Sequence, residues 1–541
     1  MIGWSHGLLG APEQTFFRRL AVFAGGFTVG AVEALMAALG DACDVLEPLT
    51  ALVSHSLLRQ DEQPDGEPRF AMLETIHAFA RDRLAEAGEE DAARHAHLEV
   101  MLATAEEAVP YLRGPEQRTW FERLEREHDN LRAALDYALD RGHVDAAIRM
   151  AEALVRFWIG GFLTEGRDRI DRVLGAAGPA HNRETRARLL LSHGVMTHMQ
   201  GAPIEAAMIF EEAEELFREA GDERSVAVTL NHLSWSMYLA GEPTRAISLA
   251  EEALAVHERF GDMRGIVLAH NNLGWVRFYH RGELVEAREH LGRAFRGQLS
   301  LGDPRGVAFT STTLAVLEMW MGNIERARAL LKVGTDAAYR TGDVIHRATT
   351  SLWSVVISYD TLGSDDVVAS LDAWLPTLRA HGFLFATGLA LRIAGDVRRD
   401  AGDAAGAEPL YAESVALMRR GDTANLAQVL IRQADARRQR GALPAAHDAL
   451  DEAFAIARRL GSRFLLPECL DVLARMRRDE GDARGAARLF GAAERQRAAI
   501  GAVLPPRRRA PHAREIDSLR EALGPEAFSE ASDEADPLAT L

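Results

Sequence analysis

Side chains that could carry out chemistry are few in this sequence, and their spacing suits neither a catalytic nor a metal site. His193 and His198 lie five residues apart, which does not bring two imidazoles onto one helical face, and no H-E-x-x-H motif occurs. The only cysteines, Cys43 and Cys469, are too far apart in sequence to indicate a metal or redox motif, and no G-x-S-x-G nucleophile motif is present. The sequence therefore predicts no catalytic residues, no metal ligands and no cofactor.

Lysine is almost absent. Lys332 is the only lysine among 62 basic residues, and it lies in ARALLKVGTD. A phosphate-binding loop of the G-x-x-x-x-G-K-[ST] type needs glycines ahead of its lysine so that the backbone can surround the phosphates. This segment has none of them, so the sequence contains no ordinary P-loop.

One group of residues has the composition of a binding surface. Asparagine amides can both donate to and accept from a peptide backbone, and tryptophan provides a flat apolar platform. We predict that these side chains lie on the inner face of a helical superhelix and bind a peptide, a protein or a small-molecule effector: Asn231, Trp235, Tyr238, Asn271, Trp275, Thr312 and Met319. An alternative stays open, because Trp235 and Trp275 could instead fill core space between helices.

Glycine spacing predicts the elements that carry these residues. One set recurs every 39 to 41 residues, at Gly201, Gly241, Gly282, Gly322, Gly363, Gly402, Gly441 and Gly481. A second set, often followed by aspartate, falls midway at Gly221, Gly261, Gly302, Gly342, Gly382, Gly421, Gly461 and Gly501. Such a glycine can end one helix in the left-handed conformation, and the aspartate can cap the next helix. Each unit is therefore predicted to be a helical hairpin.

The pattern resembles the tetratricopeptide repeat in a form of about 40 residues, with about eight units over residues 183–501. Small residues recur five and twelve positions after most first-set glycines, where two helices would touch. The fifth unit departs from the pattern, because Pro376 falls where its second helix should run and is expected to bend or interrupt it. This departure is either a tolerated irregularity or a hinge beside a ligand groove.

The amino-terminal segment reads as a winged helix. Three helices are predicted over 12–26, 29–39 and 44–55, followed by strands at 56–60 and 69–73 and a long helix that closes the module. The third helix carries Asp44 and Glu47 and no arginine, which favours a contact with protein over one with DNA.

The predicted fold class is all-α, and the chain divides into five parts. These are residues 1–11, interpreted as the remnant of an interdomain junction, a winged-helix module over 12–90, a helical connector over 91–182, the repeat superhelix over 183–501, and a linker with a flexible acidic tail over 502–541. Arg507, Arg508 and Arg509 form the densest basic run. It is interpreted as a solvated linker, with contact to phosphates as the alternative.

Charge and composition exclude further classes. The formal net charge of -18 argues against extensive binding to nucleic acid, since a phosphate backbone would be repelled. The amino end lacks the features of a secretory signal, and no apolar run reaches the roughly 18 residues that a membrane span needs. We therefore expect a cytoplasmic protein that does not bind membranes.

Several stretches are similar to large bacterial regulators of the LuxR and AfsR type, within the STAND class of signalling ATPases. The winged-helix segment of these regulators resembles WSHGLLGAPEQTFFRRLAVFAGGFT, LVSHSLLRQ and RFAMLETIHAFARDRLAEAGE. Their helical connector resembles WFERLEREHDNLRAALDYALDRG and RFWIGGFLTEGRDRIDRVLGAA, and the end of their repeat region resembles ARLFGAAERQRAAIGAVLPP. In that family a nucleotide-binding domain of the NB-ARC type precedes the winged helix, and no segment here matches its ATP site.

The resemblance implies a non-catalytic regulatory scaffold whose repeats receive a signal and whose head transmits it through a protein contact. Two alternatives remain. The first is a transcription factor that binds DNA directly through the winged helix, and the second is an enzyme built on a helical scaffold.

Overall fold

The structure is a computed structural model that describes residues 2–41, 44–62, 66–114, 116–178, 182–341, 344–362, 365–380 and 383–534. Within these residues the chain forms 28 α-helices and three short β-strands, which confirms the predicted all-α class. The chain separates into two compact units. Unit 1 contains residues 1–158 and 168–181, and unit 2 contains residues 159–167 and 182–541.

Unit 1 begins with the winged-helix module. Its elements are α1 (Ile2–Gly7), α2 (Ala11–Arg19), a 3-10 turn (Leu20–Val22), β1 (Phe27–Thr28), α3 (Val29–Ala38), α4 (Leu46–Ser54), β2 (Arg59–Glu62), β3 (Pro68–Ala71) and α5 (Glu74–Glu86). The sheet is antiparallel in the order β1-β3-β2, with Phe70 paired to both Phe27 and Gln60. The strand β1 was not predicted, because a two-residue strand has no periodicity to recognise. The module thus has a three-stranded sheet where the sequence indicated a hairpin.

The remaining helices of the amino-terminal region follow the winged helix. They are α6 (Glu90–Ala108), a 3-10 turn (Tyr111–Arg113), α7 (Gln117–Arg126), α8 (His128–Asp140), α9 (Val144–Ile159) and α10 (Leu163–Ala177). The boundary between the two units falls within α9 and α10.

A buried polar network joins the winged helix to α8. The Asn130 side chain is fully buried, accepts from the backbone N–H of Ala24 at 2.8 Å and donates to the carbonyl of Gly26 at 2.8 Å. Asn130 also donates to Glu127, which pairs with Arg69 of β3. Because buried polar groups are costly when left unpaired, this network fixes the turn before β1 against α8.

The first half of unit 2 is a series of helical hairpins. Its elements are α11 (Arg183–Met199), α12 (Pro203–Ala220), α13 (Glu223–Ala240), α14 (Pro243–Phe260), α15 (Met263–Val276), a π-helical turn (Arg277–Arg281), α16 (Leu284–Leu301), α17 (Pro304–Trp320), α18 (Ile324–Arg340), α19 (Val344–Leu362) and α20 (Asp365–Ala380).

The second half continues the series. Its elements are α21 (Leu384–Asp400), α22 (Ala404–Met418), α23 (Thr423–Gln439), α24 (Leu443–Arg459), α25 (Leu466–Asp479), α26 (Ala483–Ala499), α27 (Pro506–Leu523) and α28 (Pro525–Asp533).

The turn chemistry predicted for the hairpins is confirmed. Gly221 ends α12 with φ of 73°, and the Asp222 side chain accepts the backbone N–H of Ser225 at the start of α13. Asp262 caps α15 in the same way through the N–H groups of Arg264 and Gly265. Glycine and aspartate therefore form these joints between hairpins, as their spacing indicated; Gly342, Asp343 and Gly382 lie outside the described residues.

Early and late repeats touch at a constant separation. The Thr423 hydroxyl donates to the Ala240 carbonyl at 3.3 Å, and the Ser462 hydroxyl donates to the Tyr279 carbonyl at 2.8 Å; both pairs are 183 residues apart. The same separation joins the Val503 N–H to the Trp320 carbonyl at 2.8 Å. Since 183 residues amount to about four and a half repeats, each successive turn of the superhelix packs on the one before it.

Two expectations differ from the structure. Pro376 lies inside α20, which continues to Ala380, so the expected interruption of this helix is wrong; Gly363 lies outside the described residues. Only the last turn of α20 follows the proline, so the missing N–H removes one hydrogen bond near the helix end. Where a linker and flexible tail were expected over 502–541, the structure has α27 and α28, and α28 packs on α26; residues 535–541 of the expected tail lie outside the described residues.

Candidate functional site

The residues predicted to bind a ligand converge on one aromatic cluster. Asn231, Trp235 and Tyr238 lie on α13, Asn271 and Trp275 on α15, and Thr312 and Met319 on α17. The Trp235 ring lies 5.0 Å from Tyr238 and 5.6 Å from Trp275, measured between ring centres. Trp275 also stacks on Tyr279 at 4.8 Å and approaches Trp353 at 6.3 Å.

Most of this cluster is interior. Six of the seven predicted residues are buried, and Trp235 alone is partly exposed. The Asn231 amide donates to the Gly265 carbonyl at 3.2 Å and lies 3.1 Å from the His257 ring nitrogen, so it ties α13 to α14 and α15. These contacts give the residues a packing role, and contact with an effector remains a prediction for them.

The later repeats carry charges where the early repeats carry aromatic rings. Counting forward fourteen residues from the second-set glycines at 221 and 261 gives Trp235 and Trp275, whereas the same count from those at 382, 421 and 461 gives the charged residues Asp396, Asp435 and Arg475. These residues lie on α21, α23 and α25, the first helices of their hairpins. The inner surface therefore changes from aromatic to ionic along the superhelix.

An ion-pair network covers this ionic surface. The Arg432 guanidinium donates to both oxygens of Glu468 at 3.0 Å, and Arg399 donates to Asp400 at 2.7 Å. Although burial alone would raise the pKa of Glu468, the guanidinium groups of Arg432 and Arg508 outweigh it and lower this pKa to about 2. The carboxylate is therefore ionised at neutral pH and strongly held.

The basic run interpreted as a linker belongs to the same surface. Arg507 and Arg508 lie on the first turn of α27, which packs against α19 and α26. The Arg507 guanidinium lies 3.6 Å above the centre of the Tyr359 ring and 3.3 Å from an Asp400 oxygen. Arg508 donates to Glu468 at 2.8 Å. The arginines are therefore seated on the inner helices.

Sequence reasoning missed this network, although a signal for it exists. The helices α21, α23 and α25 contain LRIAGDVRRD, LIRQADARRQ and ECLDVLARMRRD, with acids and arginines three or four residues apart. That spacing places them on one helical face, and their period of about 40 residues repeats the face from hairpin to hairpin. Aligning the repeats on their glycines would have revealed it.

The described residues offer no metal site and no reactive cysteine. No group of three or more His, Cys, Asp or Glu side chains in the described ranges could hold a metal ion. Cys469 is buried, and this burial raises the pKa of its thiol well above the ordinary value, which leaves it a poor nucleophile. Cys43 lies outside the described residues.

The helix α4, which stands in the place of a DNA-recognition helix, presents no basic side chain to solvent. Its exposed residues are Leu46, Glu47, Thr50 and Ser54. Recognition helices use arginine and polar side chains to contact base edges and phosphates. The charge on this face therefore opposes contact with phosphates.

Comparison with known proteins identifies two kinds of domain. Residues 9–85 match the model of a winged helix-turn-helix domain, and residues 185–259 match a model of the tetratricopeptide repeat. The chain combines a winged-helix domain with tetratricopeptide repeats. This combination confirms the architecture predicted from the sequence.

The chain is also similar over its whole length to a protein of Mycobacterium tuberculosis (strain H37Rv) named as an HTH-type transcriptional regulator. The two are 28% identical over 602 aligned positions, which cover 100% of this chain and 65% of that relative. The chain thus spans less than two thirds of the relative's length. A second M. tuberculosis protein, uncharacterised, is 34% identical over 93 residues, which cover 17% of this chain and 23% of that protein.

Two solved structures are similar to the chain at 14% identity. One is a Signal Transduction ATPase with Numerous Domains (STAND) protein with a tetratricopeptide repeat sensor from Pyrococcus horikoshii, with a TM-score of 0.43 and coverage of 97% of this chain and 66% of that one. The other is a Rap protein complexed with Competence and Sporulation Factor, with a TM-score of 0.49 and coverage of 67% and 98%.

In the part of the chain that the structure describes, no helix is both long and apolar enough to cross a bilayer.

Proposed function

We propose that this chain is the signal-receiving, non-catalytic part of a transcriptional regulator of the STAND type, within the LuxR and AfsR group that its sequence resembles. In this proposal the repeats bind an effector, and the winged-helix head passes the signal on through contact with another protein or domain. A regulator of transcription acts in the bacterial cytoplasm, which is the location we propose.

One observation carries this proposal. The inner helices of the late repeats and α27 surround a cavity of about 480 Å³, lined by residues such as Arg432, Glu468 and Arg507. Ligand sites for small molecules generally have volumes of about 300–1,000 Å³. The name of the M. tuberculosis relative and the pairing of a winged helix with repeats support a regulatory role.

Hydrogen–deuterium exchange tests the receptor role. The full chain is compared with and without a dialysable small-molecule extract of bacterial cytosol. We expect slower exchange in α21, α23, α25 and α27 and unchanged exchange in α2 to α5. Unchanged exchange throughout the repeats would contradict the proposal.

A variant tests the aromatic cluster in the same experiment. Trp235→Ala removes the one partly exposed residue of the predicted set. If the effector also contacts this cluster, protection by the extract is weakened in the variant. Full protection in Trp235→Ala assigns a packing role to the cluster.

Direct binding of DNA by the head is the second candidate, because residues 9–85 match a winged helix-turn-helix model. The exposed side chains of α4 do not favour it, because none of them is basic.

A further inference from the structure

The cavity on the inner face of the late repeats has more basic than acidic groups in its wall. Among the described residues that line it, seven are arginines and five are aspartates or glutamates. The whole chain has a formal net charge of -18, so a positive interior surface runs against the charge of the molecule. An excess of basic groups in a cavity wall favours ligands of opposite charge.

The carboxylates of the wall are already paired within the protein. Glu468 accepts from Arg432 and Arg508, and Asp471 accepts from Arg497 at 2.7 Å. The remaining three are paired in the same manner: Asp400 with Arg399, Asp435 with Arg438, and Glu515 with Arg475. These acids are therefore poorly suited to receive a further cation.

The arginines of the wall keep unused donors. A guanidinium carries five N–H groups. Within the described residues, Arg475 donates through Nε alone, to Glu515 at 2.9 and 3.0 Å, and Arg432 donates through Nη2 alone, to Glu468. Arg438 uses Nε and Nη1, for Asp435 and Asp479. Each of the three therefore retains a terminal nitrogen without a hydrogen-bond partner in the described chain.

Several buried guanidinium nitrogens of the cavity wall also lack a hydrogen-bond acceptor. Arg432 Nε, Arg399 Nη1 and Arg507 Nη1 are buried and have no hydrogen-bond partner among the described residues. Asp396 lies 3.8 Å from Arg432 Nε and 3.3 Å from Arg399 Nη1, but neither approach has the geometry of a hydrogen bond. No carboxylate oxygen of the five acids in the wall is orphaned in this way. The cavity is thus short of acceptors and not of donors.

We propose that this cavity binds a small oxyanion, a molecule bearing phosphate or carboxylate groups, through the terminal nitrogens of Arg432, Arg438 and Arg475. The inference deepens the proposed function, on which it rests, by naming the chemical class of the effector. Arginine suits this role because its planar fork donates two parallel hydrogen bonds to one oxyanion. Arg507 and Arg508 line the same cavity from α27.

Titration calorimetry of the full chain tests the proposal with inorganic phosphate, pyrophosphate and citrate as separate probes at matched ionic strength. We expect saturable binding of at least one probe. Binding of phosphate or pyrophosphate identifies a phosphorylated ligand, and binding of citrate alone identifies a carboxylate. Absence of saturable binding by all three would overturn the proposal.

Two variants and a control locate the binding. Arg475→Gln removes the central donor and is expected to weaken binding at least about tenfold, which corresponds to the loss of about 1.4 kcal/mol. Arg514→Ala removes an exposed arginine of the wall that pairs with no acid in the described ranges, so the fold is retained and binding weakens less. The control is Arg509→Ala. Arg509 lies on α27, like Arg514, but outside the cavity wall, and its side chain donates only to the Leu504 carbonyl.

Equal affinity in Arg475→Gln, Arg514→Ala and Arg509→Ala would show that the probe binds elsewhere and would overturn the proposal. The hydrogen–deuterium exchange experiment separates the oxyanion site from the receptor role of the repeats. Protection of the repeats by the cytosolic extract without binding of any anion leaves the receptor role intact and rejects the proposed oxyanion site. Anion binding that Arg475→Gln abolishes, without protection by the extract, supports the site and counts against the receptor role.

Discussion

At the residue scale, Glu468 shows how the ionic inner face is held together. Its side chain is about nine-tenths buried and is paired with Arg432 on the neighbouring inner helix and with Arg508 on α27. Removing one partner of a buried pair leaves an uncompensated charge at a largely buried position. The pair is therefore costly to break, whatever its net contribution to stability.

Glu468→Gln is expected to lower the free energy of unfolding by about 3 kcal/mol at neutral pH, because Arg432 loses its charged partner. The pKa of Glu468 lies at about 2, below its ordinary value of 4.5. The stabilisation is therefore fully present above about pH 4.5 and is lost as the pH falls towards about 2. The difference between variant and parent should shrink over that interval in urea unfolding curves.

The control is Glu325→Gln, since the Glu325 side chain is 87% exposed and pairs only within its own helix. Its unfolding free energy should follow that of the parent at every pH. A constant difference between Glu468→Gln and the parent across the acidic range would show that the charge of Glu468 contributes nothing to the fold.

At the scale of elements, the first-set glycines lie in two kinds of surroundings. Some face a later repeat and others face open space, and the sequence around them does not distinguish the two. Gly282 and Gly441 both have positive φ angles, 64° and 76°, at the ends of inner helices. A Cβ on Gly282 would lie 2.9 Å from Ile500 and 3.3 Å from Arg463, whereas a Cβ on Gly441 meets nothing within 4 Å. Among the first-set glycines that the structure describes, only the early ones, at 201, 241, 282 and 322, are pressed against a later repeat.

Gly441→Ala is expected to cost about 1 kcal/mol, the strain of a left-handed backbone with a Cβ. Gly282→Ala should cost more, because its methyl group would also push Ile500 away and loosen the contact between successive turns of the superhelix. Urea unfolding, monitored by circular dichroism, measures the free energy of unfolding of both variants. A broader unfolding transition in Gly282→Ala would show that the repeats unfold less cooperatively. Equal costs at the two sites would contradict the packing of one turn on the next.

At the scale of the whole molecule, charge decides between the two readings of the winged helix. The chain has a formal net charge of -18, and α4 exposes no basic side chain among the described residues. Binding of a duplex requires basic groups that displace counterions, and its strength then falls steeply with salt.

We therefore expect no binding of the full chain to random duplex DNA at low ionic strength, measured by fluorescence anisotropy over a salt titration. Retention at low salt that disappears as salt is added would favour the transcription factor that contacts DNA through its own head. It would also show that a local surface outweighs the charge of the whole chain.

The sequence by itself determined the class of the protein. Glycine spacing and the Gly-Asp joints predicted the hairpins, because helix ends are local events that neighbouring residues decide. The resemblance of three stretches between Trp4 and Glu89 to a winged helix indicated the head, which the domain match over 9–85 supports. The unpredicted strand β1 shows the limit of this reasoning, since two residues form a strand there only through pairing with β3.

Only the tertiary structure decided which inner surface is open. The tryptophans of the early repeats and the charged residues of the late ones occupy corresponding positions, and the sequence favoured the tryptophans as a ligand platform. The structure buries Trp275 and seats Arg507 and Arg508 beside a cavity at the late repeats. The physical reason is that the contacts involved join residues far apart along the chain. No local sequence pattern indicates the contacts between residues 183 positions apart or the return of α27 onto the inner helices.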